Sequence, residues 1–304
     1  MPSYAFVHIP KTGGTTLKHI LRRNFRTRHF DGRLLNHQQH TSFAKCRPIR
    51  AADYTQLRWI GKRVRSFAGH GIRPYSDLAD AAPQLQYYTF LRDPMKRTIS
   101  AFASQMADAL RADELPQSRR DLRARFLQLV PTWNNKQTRM LAGIPDADLA
   151  IEILETKVPF VGLLESFDES LVMLRRWMQP FHLDISYATR NISVQRISRT
   201  RGNTSTKEQR QLTQHFVASL TDDPELMQHL YAETLEDQRL YAHARDVVYQ
   251  RHRSNYGDHL PADVNRFRAA QANLARAPRG SVTAAAYRNL VLKRVIPYML
   301  RQAA

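Results

Sequence analysis

Short apolar runs alternate along this chain with longer segments whose apolar residues recur at helical spacing. Runs of strand length occupy residues 4–9, 87–91 and 159–163. Residues 94–112 follow the second run, and their apolar side chains recur as on one face of a helix. Strands that alternate with helices are typical of α/β proteins, in which helices flank a central and mostly parallel sheet. The pattern therefore predicts an α/β fold.

The first apolar run ends in a turn that is typical of an anion-binding site. The turn and the helix start after it comprise seven residues: Pro10, Lys11, Thr12, Gly13, Gly14, Thr15 and Thr16. The glycines allow positive φ angles and a close approach of the backbone to a ligand. N–H groups at a helix start favour an anion, and Lys11 adds a mobile positive charge. Because this lysine precedes the glycines, the turn is not a Walker A loop. The alternative to an anion-binding site is an ordinary strand–turn–helix in which the glycines occur by chance.

The second apolar run ends in a similar corner. Arg92 follows the run, Asp93 suits the cap of a helix, and Pro94 fits the first helical turn. Arg97 and Ser100 lie three positions apart and therefore share one face of that helix. An arginine fork beside a hydroxyl group suits a phosphate monoester. Two such corners in one sheet indicate a ligand that carries phosphate groups at two places.

The two corners resemble the nucleotide-binding motifs of a known family. Residues 10–16, PKTGGTT, are similar to the 5′-phosphosulfate loop of sulfotransferases that use 3′-phosphoadenosine 5′-phosphosulfate (PAPS). Residues 91–102, LRDPMKRTISAF, resemble the 3′-phosphate motif of the same enzymes. The resemblance is greatest to carbohydrate enzymes of the heparan sulfate 2-O- and 6-O-sulfotransferase type. Residues 135–141, 161–167 and 240–241 agree with it.

The resemblance, which extends over residues 1–244, implies a fold, a reaction and a set of site residues. The fold would be a P-loop-like three-layer α/β domain, and the reaction would move a sulfuryl group from PAPS to a hydroxyl of a carbohydrate-like acceptor. The nucleotide would be bound by residues 10–16 together with Arg92 and Ser100. Arg199 is a further candidate contact, for which an ordinary surface position is the alternative. Lys11 would stabilise charge on the leaving phosphate, so that no metal is required.

His70 is the candidate general base. Residues 65–68 have strand character, and Gly69, His70 and Gly71 form a turn at the end of that strand. Catalytic side chains in α/β sheets gather at the carboxyl ends of strands. The resemblance implies that a histidine in this position deprotonates the acceptor hydroxyl, although Ala68 stands where some relatives have a second histidine. A turn histidine bonded to the backbone is the alternative.

Composition limits the classes of protein to which the chain can belong. Its 304 residues are 42% hydrophobic, its mean hydropathy is −0.51, and no apolar run reaches membrane-spanning length. The N-terminus has no signal-peptide pattern, and the single cysteine, Cys46, excludes an intrachain disulfide, so a cytoplasmic location is expected. The net charge of +19 favours anionic partners without choosing among nucleic acid, acidic glycan, lipid and nucleotide.

Residues 26–56 are polar and are expected to form an irregular loop. His37, His40 and Cys46 within it could suggest zinc, but their spacing matches no standard structural site and a fourth ligand is not apparent. No metal site is therefore expected.

The chain is expected to divide into a sulfotransferase domain over residues 1–248 and a basic helical extension over residues 249–304. From residue 245 onward the sequence holds eleven Lys and Arg against three Asp and Glu. Residues 281–301 are predicted to form an amphipathic helix. This helix could pack on the domain, pack on a second copy of the chain, lie peripherally on the inner face of a membrane, or contact nucleic acid.

Two other classes of function are compatible with part of the sequence. A P-loop nucleotide kinase or ATPase would bind ATP with Mg²⁺, but the order of lysine and glycines speaks against it. A non-enzymatic basic protein that binds nucleic acid or membrane would explain the charge but not the paired corners. A hydroxyl-bearing glycan or glycolipid acceptor is therefore the expected partner, and no nucleic acid is expected.

Overall fold

A computed structural model describes residues 2–32, 47–55, 63–112, 114, 116–187 and 207–273. Its centre is a sheet of five strands in the order β2-β3-β1-β4-β5. The strands are β1 Ser3–Val7, β2 His29–Asp31, β3 Ser66–Gly69, β4 Leu85–Leu91 and β5 Phe160–Leu163. Every neighbouring pair of these strands is parallel. The α/β fold expected from the sequence is thus confirmed.

Helices connect the strands and cover the sheet. In chain order they are α1 Gly14–Phe25, α2 Ala51–Thr55, α3 Leu78–Ala81, α4 Pro94–Ala112, α5 Arg119–Trp133, α6 Lys136–Ala142, α7 Ala147–Lys157, α8 Phe167–Trp177, α9 Lys207–Ser219, α10 Pro224–Glu233, α11 Leu235–His243, α12 Tyr249–Tyr256 and α13 Leu260–Ala272. A π-helical turn, Ala244–Val248, joins α11 to α12. Within the described ranges, no helix combines the length and the apolar character that crossing a bilayer requires.

The register of the sheet brings three strand ends to the same edge. Val7 at the end of β1 lies beside Gly69 of β3 on one side and beside Thr89 of β4 on the other. The strand order reverses at β1, and in open α/β sheets ligands bind at the carboxyl edge of such a switch point. The loops after β1, β3 and β4 therefore open into one region.

A large core lies around the sheet, and a smaller one lies between α4, α5 and α9. Phe102 of α4 makes edge-to-face contacts with Phe126 of α5 and Phe216 of α9 in the smaller core. Met106 of α4 is buried beside them. The apolar stripe of residues 94–112 thus serves packing, as its spacing indicates.

The expectation of an irregular loop over residues 26–56 is wrong for two segments, since β2 and α2 lie within it. β2 has only three residues, and its polar ends hide the apolar alternation that identifies a strand. Asp31 can be buried there because Lys18 and Arg22 of α1 form ion pairs with its carboxylate. These two cations offset the cost of burying Asp31, and the pKa of its carboxyl lies well below the ordinary value.

The helical run that contains α11 continues past residue 248 into α12 without a break. Tyr249, Tyr256, Leu260 and Phe267 belong to the same core as the sheet. The predicted helix over residues 281–301 lies outside the described residues, as do His37, His40 and Cys46.

Candidate active site

The chain turns sharply between β1 and α1. The turn spans residues 10–13, and Thr12 closes it by donating a hydrogen bond from Oγ1 to the Ile9 carbonyl, 3.0 Å away. Lys11 and Gly13 have φ angles of 72° and 82°. The first turn of α1 has no acidic residue, and its N-cap residue, Gly13, makes no side-chain capping bond. The N–H groups at this helix start therefore suit an anion.

Gly14 is required for packing as well as for its place at the start of α1. A Cβ atom on Gly14 would lie 2.1 Å from two atoms of the His8 ring. A Cβ atom on Gly13 would lie 2.8 Å from Leu164 Cδ1. The absence of side chains on both residues lets the loop after β5 and the His8 ring approach the turn.

His70 is buried at the end of β3 and is bound to the end of β1. Its Nδ1 lies 2.6 Å from the His8 carbonyl oxygen, to which it can only donate. In this tautomer Nε2 is the nitrogen that can accept a proton. The His70 ring also stacks on the His8 ring, with 4.2 Å between the centroids. Sequence reasoning did not identify His8 as a site residue, and a histidine that interrupts an apolar strand was its only signal.

Arg92 connects the two predicted phosphate corners. Its Nη1 donates a hydrogen bond to the Lys11 carbonyl oxygen over 3.2 Å. Burial lowers the pKa of Arg92, and the carboxylates of Glu165 and Asp93 oppose that change. The guanidinium therefore lies beside the turn after β1, as two corners of one nucleotide site require.

Side chains from two distant stretches hold the backbone at the Arg92 corner. Gln137 of α6 accepts a hydrogen bond from the Arg92 N–H over 3.0 Å and donates one to the Arg92 carbonyl over 2.8 Å. Glu165, which follows β5, accepts a hydrogen bond from the Asp93 N–H over 3.1 Å. Residues 135–141 and 161–167, which the sequence resemblance marks, thus meet at this corner.

Helix α11 supports both of these side chains from one face. Asp237 accepts hydrogen bonds from the Gln137 N–H, the Thr138 N–H and the Thr138 hydroxyl at 2.8–3.1 Å. Tyr241 lies one turn later and donates from its hydroxyl to Glu165 over 2.8 Å. The Arg92–Asp93 corner is therefore fixed through α6 and through the loop after β5 by a single helix.

Arg97 lies fully buried beneath this corner. It belongs to the predicted 3′-phosphate motif, and its contacts support the structure of the corner. Its Nη2 donates to the Trp133 carbonyl, and its Nε lies 3.9 Å from the Asp237 carboxylate. Burial lowers the pKa of Arg97 to about 10, so the side chain remains charged at neutral pH. Ser100, which lies on the same helix, is half-buried.

A second group of cations lies near α6. Burial and the charges of Arg73, Arg97 and Arg139 lower the pKa of Lys136 to about 8. Arg73 follows His70 in the chain and contacts Met140 of α6. These charges add to the positive potential of the carboxyl edge.

The remaining predicted residues differ in their surroundings. Thr16 is buried in the first turn of α1 and Thr15 is exposed. Pro10 is buried at the start of the turn, whereas Arg199 lies outside the described residues. Over the described ranges, no three His, Cys, Asp or Glu side chains form a group that could hold a metal ion.

No curated protein matches the chain significantly. One family, described as the sulfotransferase family, matches residues 3–244. The matched range contains both phosphate corners, His70 and the supporting residues on α6 and α11. Because the match covers most of the sequence and includes the whole sheet, the chain belongs to the sulfotransferase family and is a transferase.

Proposed function

We propose that this chain transfers a sulfuryl group from PAPS to a hydroxyl group of a carbohydrate-like acceptor, with His70 as the general base. The observation that carries the proposal is the 3.2 Å hydrogen bond from Arg92 Nη1 to the Lys11 carbonyl oxygen. A nucleotide with phosphate groups at both ends needs two adjoining anion sites, and this bond joins them. Family membership supports the class of reaction.

The residues at the β1 corner fit the 5′ end of this nucleotide. The amide groups of Gly14, Thr15 and Thr16 lie in the first turn of α1, where the helix dipole favours an anion. Lys11 adds a cation, and the first turn holds no carboxylate that would repel phosphate. The donor set therefore consists of backbone N–H groups and one ammonium, which suits a phosphosulfate.

The residues at the β4 corner fit the 3′-phosphate. Arg92 provides a planar fork of donors, and Ser100 provides a hydroxyl two turns along α4. Arg199 is kept as a further proposed contact from the sequence resemblance alone. Bound PAPS would supply a sulfuryl group on its 5′-phosphate oxygen, and the bond to that oxygen breaks as the bond to the acceptor forms.

The chain's own groups then account for the proton and the charge. His70 Nε2 takes the proton of the acceptor hydroxyl, because Nδ1–H is held by the His8 carbonyl. The electron pair of the broken bond stays on the 5′-phosphate oxygen. Lys11 and the N–H groups at the start of α1 offset the negative charge there. In-line transfer is expected, since sulfuryl and phosphoryl groups have similar shapes.

The proposal is tested by incubating the protein with radiolabelled PAPS and a panel of hydroxyl acceptors, with sugars first. We expect label on at least one acceptor. In His70→Ala, turnover should fall by more than about a hundredfold. The same variant should bind PAP, the nucleotide that remains after PAPS has lost its sulfuryl group, as the wild type does. His215→Ala removes an exposed imidazole from α9 and should keep full activity. Undiminished turnover in His70→Ala would remove His70 as the base.

The same assay separates the proposal from the kinase alternative. Excess EDTA should leave sulfuryl transfer unchanged, because the proposed groups that meet the leaving charge are Lys11 and backbone N–H groups. Activity that requires Mg²⁺, together with transfer of label from γ-labelled ATP, would support a nucleotide kinase instead.

A further inference from the structure

We infer that Gln137 is a positioning residue for the 3′-phosphate, acting through the backbone of Arg92. The inference rests on the proposed use of PAPS and goes beyond it, because Gln137 would touch neither the nucleotide nor the acceptor. Its side chain has no solvent-exposed surface.

Two hydrogen bonds join the side chain of Gln137 to the backbone of Arg92. One side-chain amide accepts from the Arg92 N–H at 3.0 Å and donates to the Arg92 carbonyl at 2.8 Å. Within a sheet, a neighbouring strand likewise accepts from the N–H of a residue and donates to its carbonyl. On the β5 side, Leu164 N–H already donates to the Leu91 carbonyl. The amide of Gln137 therefore extends the pairing of β4 by one residue, beyond the point where the sheet ends.

Gln137 is itself held in place. Its own N–H donates to Asp237 at 3.0 Å, and the neighbouring Thr138 donates to the same carboxylate through its N–H and its hydroxyl. A buried side chain fixed at both ends has few alternative positions. The orientation of the Arg92 backbone is thus set by α6 and α11, rather than by the short corner between β4 and α4.

The backbone of Arg92 sets the position from which its guanidinium would reach the ligand. Arg92 has many side-chain rotamers, but its Cα position and direction depend on the peptide groups that Gln137 binds. Without Gln137, the Arg92 N–H and carbonyl would be buried without these partners, and the corner would shift to reach others. A guanidinium displaced by about 1 Å loses much of its bidentate geometry toward phosphate.

The test is the ratio of two dissociation constants, that of AMP divided by that of PAP, which isolates the contribution of the 3′-phosphate. Isothermal titration should show that Gln137→Met lowers this ratio about tenfold, chiefly by weakening PAP binding. Gln137→Glu keeps an acceptor for the Arg92 N–H and should give an intermediate ratio. Gln128→Met makes the same change at an exposed position of α5 and should leave the ratio unchanged.

A double-mutant cycle separates positioning from general destabilisation. In an Arg92→Ala background, Gln137→Met should change the ratio no further, since the group that it positions is gone. In the transfer assay, Gln137→Met should raise KM for PAPS while kcat stays within about twofold, because His70 is not disturbed.

If Gln137→Met does not fold, Tyr241→Phe provides the second variant. It removes only the hydroxyl that bonds Glu165 at the other side of the same corner, and a smaller fall in the ratio is expected. The inference would be overturned if folded Gln137→Met had the wild-type ratio. It would also be overturned if the fold-changes of Gln137→Met and Arg92→Ala in this ratio multiplied in the double variant. Equal binding of PAP and AMP by the wild-type protein would instead overturn the proposed function.

Discussion

His8 fills the space between the start of α1 and the ring of His70. Its ring stacks on His70 with 4.2 Å between centroids, and its carbonyl accepts from His70 Nδ1. The ring also lies beside Gly14, where an added Cβ atom would lie 2.1 Å from two ring atoms. His8, at the end of β1, therefore connects the position of the turn after β1 to the position of the candidate base.

This contact predicts a loss of activity in Gly14→Ala. The added methyl group must displace the His8 ring or the start of α1, and either shift moves His70 relative to the turn. We expect a fall in kcat of about a hundredfold, since misplacement by about 1 Å has that effect on well-aligned groups. Steady-state transfer from PAPS measures it.

Gly257→Ala provides the control for the added methyl group. A Cβ atom on Gly257 has no neighbour within 4 Å, but its φ angle of 86° makes alanine strained there. This variant should lose about 1 kcal/mol of stability and keep its activity. Full activity in Gly14→Ala would show that the His8 ring does not couple the turn to the base.

At the scale of elements, α11 carries a buried charge that the Arg92 corner needs. Burial raises the pKa of the Asp237 carboxyl, while Arg97 and hydrogen bonds from Gln137 and Thr138 oppose the rise. The three donors aimed at this carboxyl favour its ionised form. Arg97 Nε and Nη1 have no hydrogen-bond acceptor among the described residues, so Asp237 is the main compensation for that buried cation.

Asp237→Asn is therefore expected to destabilise the fold strongly. The substitution keeps the shape but leaves Arg97 buried without a counter-charge, which typically costs about 3–5 kcal/mol. Urea unfolding at pH 7 measures this difference. Asp148→Asn breaks an ion pair with Arg239 in which the Asp148 side chain is 76% exposed, and it should change stability by less than about 1 kcal/mol. Equal effects of the two variants would contradict the assigned role.

The outer edge of the sheet depends on a histidine that must stay neutral. His252 of α12 accepts a hydrogen bond from the Val161 N–H of β5 over 3.1 Å, and its ring stacks on Phe160. Burial, with the charge of Arg251, lowers the pKa of His252 to about 4. Between pH 6.5 and about 4 the unfolded chain therefore binds a proton at this imidazole that the folded protein does not bind.

This difference predicts acid sensitivity. The contribution of His252 to stability is complete above about pH 6.5 and is lost as the pH falls toward 4, by no more than about 3 kcal/mol. In His252→Phe, which keeps the ring stack, the free energy of unfolding should fall less over this range. His215→Phe makes the same substitution at an exposed position of α9 and is the matched control. An unchanged pH profile in His252→Phe would contradict the assignment.

Across the whole molecule, features formed by residues close together in the sequence can be predicted from it, whereas contacts between distant residues cannot. Both phosphate corners are predicted because glycine, proline and cap residues act within a few positions of each other. β2 is not predicted, since three residues with polar ends carry no periodicity. The support of Arg92 by Gln137 and Asp237 joins residues 45 and 100 positions apart, and nothing local indicates that pairing.

Under the proposed function, the arrangement of these parts would make a basic chain selective for its ligand. A net charge of +19 attracts any anion, so charge alone cannot distinguish a nucleotide from nucleic acid. Under the proposed function, selectivity would come from the distance between two proposed anion sites, one after β1 and one after β4. A ligand with phosphate groups at both ends of one nucleoside would meet both sites, and a ligand with a single phosphate would meet one.

The most direct measurement is the affinity of the wild-type protein and of Arg92→Ala for PAP and for AMP, by isothermal titration. We expect the wild type to bind PAP at least about tenfold more tightly than AMP. In Arg92→Ala, PAP should fall to the level of AMP, whose own affinity should stay unchanged. Arg239→Ala, on the exposed face of α11, should behave as the wild type. Equal affinities of the wild-type protein for PAP and AMP would contradict a 3′-phosphate site at Arg92.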